Sequence, residues 1–148
     1  MLFKKKSPAQ LYLNQVYMCN FAGVNPSGKY LKFCVVLVFL KNGKVLRLEE
    51  DGDMSPDDID IDSLRNQNLS EHINNADYYS IDYDQIIIRF YKGEKGTLQY
   101  SEYEYDEYIG IIRPNGLRLN ASISYYSNML DDFKEEQAMQ NMDFSLIK

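Results

Sequence analysis

Apolar and polar residues alternate with a period of two along much of this chain, and clusters of Asn, Gly, Pro and Asp interrupt the alternation. That period is the pleat of a β-strand with one face on a core. In "VFLKNGKVLRL", Asn42-Gly43 is the dipeptide that favours a two-residue type I′ turn, where both positions need positive φ. Such a turn sets Phe39 opposite Leu46 and Leu37 opposite Leu48, a core face that continues through Val35 and Phe33. The other face, Cys34, Val36, Val38 and Leu40, is apolar as well, with Arg47 and Glu49 across from it. A strand apolar on both sides is covered by another segment or meets a partner.

"RPNGLRL" repeats the signal at Asn115-Gly116. A turn there sets Pro114 opposite Leu117, Ile112 opposite Leu119, Gly110 opposite Ala121, and Tyr108 opposite Ile123. A turn at Tyr83-Asp84 sets Ile81 opposite Ile86, Tyr79 opposite Ile88, and Asp77 opposite Phe90. Residues 15–21 read as an opening strand and 96–105 as another, with a turn near Asp106-Glu107. Residues 137–147 read as a closing strand, since Met142, Phe144 and Leu146 alternate. The exception is 51–76, where "SPDDIDIDSL" offers a Ser N-cap, Pro at the first helical position and acids in the first turn. One short helix is expected there, with Ile61 and Leu64 toward the body.

In "QYSEYEYDEYIGII" the tyrosines and acids fall on alternate positions. Tyr103 and Tyr105 share one strand face, Glu102, Glu104 and Asp106 take the other, and Tyr108 joins the core face beyond the turn. The acids therefore read as a solvated outer edge that discourages sheet-to-sheet pairing, in preference to a catalytic carboxylate pair. Together these elements predict a mostly β chain of about eight or nine strands. They form an antiparallel up-and-down meander that closes into a small barrel. With 148 residues it is read as a single domain over 1–148, the barrel spanning about 15–147 and residues 1–10 forming a tail.

A formal charge of −6 argues against a nucleic acid or an anionic membrane as partner, because phosphate binding needs clustered Lys and Arg. Lys4, Lys5 and Lys6 are the basic cluster, and they read as a solvated tail. No run approaches the roughly 18 apolar residues of a membrane span. "SPAQLYLNQVY" is too polar to follow them as a signal sequence, so a cytoplasmic chain is the expectation, a secreted chain with its signal removed staying open. Cys19 and Cys34 read as small core residues in a reducing compartment, a disulfide staying open if their strands are neighbours.

Candidate chemistry is sparse. His72 is the one histidine, so a two-imidazole metal site is excluded, and its polar setting lacks the nucleophile–base–orienter pattern. Aligning Gly52 of "EEDGDMSPDDIDID" with an EF-hand glycine puts Arg47 at the first ligand position, so the run reads as a solvated loop. "GEKGT" lacks phosphate-loop spacing. The expectation is no catalytic residue, no metal and no cofactor.

The order "GKYLKF…FLKNGKVLRL", "DYYSIDYDQIIIRFY", "YIGIIRPNGLRL" and "MDFSLI" resembles small lipocalin-like (calycin-like) β-barrel domains. The resemblance covers roughly residues 15–147 and implies a non-enzymatic binding domain of that shape. In such a barrel Tyr79, Ile88, Phe90, Tyr108, Ile112 and Leu119 would line a site for a small hydrophobic ligand, tyrosine hydroxyls serving as polar handles. Alternatively these side chains fill the interior. The second expectation is a protein-interaction module, an inhibitor or adaptor. It would use the face at Cys34, Val36, Val38 and Leu40 together with the acidic surface, toward a basic partner or a second copy of the chain.

Overall fold

The computed structural model describes residues 9–25, 27–60, 62–63, 77–93, 96–98, 101–127 and 132–147. Eight strands form one antiparallel sheet: β1 (Val16–Val24), β2 (Tyr30–Phe39), β3 (Val45–Asp51), β4 (Tyr78–Asp82), β5 (Gln85–Tyr91), β6 (Tyr105–Arg113), β7 (Gly116–Ser127) and β8 (Asp132–Ile147). Their order is β3-β2-β1-β8-β7-β6-β5-β4. Chain neighbours other than β3 and β4 pair antiparallel, and β1 pairs with β8, as in an up-and-down barrel. Among the described residues the seam between β3 and β4 has no ladder. The result is a curled half-barrel.

Side chains bridge that seam. The Tyr79 hydroxyl donates to the Leu40 carbonyl at 2.8 Å, and the Phe39 and Tyr79 rings meet edge to face at 5.0 Å. The interior is filled by inward residues of all these strands, among them Tyr17, Leu37, Ile86, Ile112, Leu117 and Phe144. Bending comes partly from β8, which slips register against β7 near Ala121. There Asn141 takes φ 56°, and its N–H donates to Asn120 Oδ1 at 2.8 Å. Such bulges increase local twist and help a sheet curl.

The turns decide which face each side chain takes. At Tyr83-Asp84 the two-residue turn holds, and Ile81 pairs with Ile86 and Tyr79 with Ile88 as expected. The next hairpin shifts by two: Arg113 pairs with Gly116, Ile112 with Leu117, and Tyr108 with Ala121. Its turn residues are Pro114 and Asn115, with Asn115 at φ 62°. Proline has no N–H for a ladder and its φ is fixed near −65°, so it takes the second turn position and leaves the positive φ to Asn115. A shift of two preserves the faces, and Ile112, Leu117 and Leu119 are buried inward.

The β2–β3 hairpin shifts by one, and that reverses a face. Phe39 pairs with Val45, Leu37 with Arg47, and Val36 with Leu48. Leu40 N–H donates to the Lys44 carbonyl at 2.7 Å, leaving Lys41–Gly43 as a three-residue 3-10 tip with φ 66° at Asn42 and 76° at Gly43. The Asn-Gly pair does adopt positive φ, inside a loop of odd length. An odd tip changes the parity of the following strand. Leu46 and Leu48 therefore join Val36 and Val38 on the outer face, while Arg47 and Glu49 share the inner face with Leu37 and Val35.

Two further expectations change. Among the described residues 96–98 and 102–103 are turns and bends, and Asp106-Glu107 lie within β6. Tyr105 and Tyr108 are both buried because each face of β6 is covered: Tyr108 by the interior, Tyr105 by Tyr91 at 5.2 Å and the Arg89 guanidinium at 4.4 Å. Where a helix is expected, the described residues show a 3-10 turn, Pro56–Asp58, with Ser55 capping and Asp58 returning the bond, and Asp62 and Ser63 are helical. Ile61, Leu64 and His72 lie outside the described residues.

Candidate functional site

Parity brings charge inside. Arg47 reaches from β3 across the half-barrel to β6, where its Nη1 lies 3.0 Å from Asp106 Oδ2 and 3.5 Å from Glu49 Oε1. Its guanidinium sits 4.1 Å from the centroid of the Phe90 ring. Burial works against the Arg47 charge, but Tyr108, Glu49 and Asp106 outweigh it and hold its pKa above the usual range. Burial pushes the Tyr108 phenol well up, against the pull of Arg47. Tyr108 thus stays protonated and donates to Glu49 Oε1 at 3.2 Å.

These groups stand at the wall of a cavity of about 490 Å³. Strand β2 contributes Leu31 and Phe33, β3 Glu49 and Asp51, and β6 Asp106 and Tyr108. Strand β7 adds Ala121 and Ile123, and β8 adds Met139 and Met142. The exposed Lys32 and Glu50 also border it. That volume lies within the roughly 300–1,000 Å³ of small-molecule sites. The cavity offers an apolar wall, a phenol and carboxylates: groups for recognition by contact, hydrogen bond and charge.

The residues expected to line a ligand site are divided. Tyr108 lines the cavity. Ile88, Ile112 and Leu119 are packed in the closed core, Phe90 lies beneath Arg47, and Tyr79 closes the seam against Phe39. Arg47, Glu49, Asp51 and Asp106 were not expected around a cavity; Glu49 and Asp51 are exposed where they line it. The available sign was an arginine and a glutamate alternating with leucines after a loop whose length could be odd.

The second apolar face is covered by the chain itself. Cys34, Val36 and Val38 are buried with Leu46 under Met54 and Ile59, and Leu40 is half-buried beside them. The Asn20 amide fixes this cover, donating to the Met54 carbonyl and accepting from its N–H, both at 3.0 Å. These residues form a second core layer in place of an open surface. Cys19 and Cys34 are free and buried, one in each layer.

No family model, curated protein or solved structure matches the chain. Among the described residues no helix is long and apolar enough to cross a membrane.

Proposed function

We propose that this half-barrel is a non-enzymatic, lipocalin-like binding domain that takes one small ligand into the cavity beside Tyr108. The observation that carries the reading is the cavity itself, about 490 Å³, open to solvent and bounded by residues of β2, β3, β6, β7 and β8. Its lining mixes Leu31, Phe33, Met139 and Met142 with Tyr108 and carboxylates, so the ligand is amphipathic instead of purely hydrophobic. A cytoplasmic address belongs to the same reading, since two free, buried thiols suit a reducing compartment.

The test pairs a titration with a filled cavity. Nile red, a neutral apolar dye, is titrated into the full chain and into Ala121→Phe, whose ring would project into the space. The reading expects saturable dye fluorescence in the parent and at least about tenfold weaker binding in the variant, with its fold checked by circular dichroism. Equal binding by both would sink it. Native mass spectrometry of the purified chain adds an independent check, a bound small mass being lost on unfolding.

A further inference from the structure

We infer that the ligand carries a positive charge on its apolar body, as an organic ammonium or guanidinium does; this rests on the binding reading above and adds the sign of the charge. Four carboxylates border the cavity, those of Glu49, Glu50, Asp51 and Asp106. They belong to a concave site, because the odd β2–β3 loop turns Glu49 and Asp51 to the inner face of β3, and unbroken pairing of β6 turns Asp106 inward beside Tyr108. Leu31, Phe33, Met139 and Met142 supply the apolar part of the same lining.

The cations nearby are already engaged. Arg47 lies against Asp106 and Glu49 with its face on Phe90, so it offsets one charge of the four and leaves the cavity negative. Lys32 pairs with Asp53 at 3.2 Å. A ligand carboxylate would enter against Glu49 and Asp51, while Lys32 and Arg47, the cations at this wall, already face carboxylates of the chain itself. An ammonium would meet them favourably. The lining thus discriminates against fatty acids and in favour of amines of similar shape.

Three probes of one chain length separate the possibilities: octylammonium, octanol and octanoate, titrated calorimetrically into the full chain at low salt. Octylammonium should bind at least about tenfold tighter than octanoate, with octanol between them, and added salt should narrow the gap. In Asp51→Asn, a change at an exposed strand end, the ammonium-to-carboxylate ratio should fall about threefold or more, and Glu49→Gln should act in the same direction. If octanol and octanoate bind but octylammonium has no advantage, the charge inference is overturned and the binding reading stands. A ratio unmoved by both substitutions also overturns it. If none of the three binds, both readings fail.

Discussion

Replacing Arg47 with methionine keeps the aliphatic stem and removes the charge, so it isolates what the guanidinium contributes. The side chains of Arg47 and Asp106 are 22% and 31% exposed, which places the pair between two regimes. Exposed ion pairs contribute about 0.2–1 kcal/mol, and breaking a fully buried one costs about 3–5 kcal/mol. Because Asp106 borders a cavity that water can enter, the lower half of that interval applies, about 1–2 kcal/mol. Loss of the contact with Phe90 at 4.1 Å adds about 0.5–1 kcal/mol. The expected destabilisation is therefore about 1.5–3 kcal/mol, read as a lower urea midpoint at unchanged slope, or a melting point lower by roughly 3–12 °C. A double-mutant cycle with Asp106→Asn should return a coupling of about 1 kcal/mol or more. Were Arg47 on the outer face, as a two-residue turn at Asn42-Gly43 would place it, the substitution would cost under about 0.5 kcal/mol and the cycle would show no coupling. That result would refute the reasoning.

Other consequences are as specific. A Cβ on Gly110 would lie 1.9 Å from the Arg118 carbonyl oxygen, so Gly110→Ala should cost at least about 3 kcal/mol. Gly23→Ala, whose Cβ meets the Phe21 ring at 3.0 Å, should cost about 1 kcal/mol or less, and equal losses in urea melts would contradict the account. At Asn115, φ 62°, alanine should destabilise by about 1 kcal/mol while glycine is neutral or better. Burial pushes the Cys19 thiol from 9.0 up to about 12, so the folded chain keeps its proton after the unfolded chain has lost it. Stability is then level below pH 9 and falls as pH rises through about 12, burial of the Tyr108 and Tyr17 phenols adding to the fall above pH 10. Thiolate absorbance appearing in the folded protein near pH 9 would contradict this.

Strand identity was legible because the pleat writes it locally: Met142, Phe144 and Leu146, or Ile86, Ile88 and Phe90, name a buried face without help from elsewhere. A two-residue shift at Pro114 did no harm, since it returns every side chain to its own side. The β2–β3 hairpin was different. Its parity depends on whether the tip holds two residues or three, and tertiary contact enters that choice. A Cβ at Gly43 would stand 3.3 Å from the Tyr79 carbonyl oxygen, so the tip is packed against a strand that the local sequence cannot anticipate. An inward Arg47 is likewise acceptable only because Asp106, 59 residues later in the chain, arrives opposite it. Asp106, expected on a solvated edge, misled for the same reason. Asp106 and Glu107 face opposite sides, one toward Arg47 and one toward Arg89 at 2.8 Å, and neither partner is near in sequence.

The orientation of β3 is the point from which the cavity, its charge and the proposed ligand all follow, and nuclear Overhauser contacts between backbone protons of β2 and β3 measure it directly. The account predicts cross-strand contacts joining Val38 to Leu46 and Val36 to Leu48, with the Arg47 side chain near the Phe90 ring protons. Contacts joining Phe39 to Leu46 and Leu37 to Leu48 would turn Arg47 and Glu49 outward and contradict it.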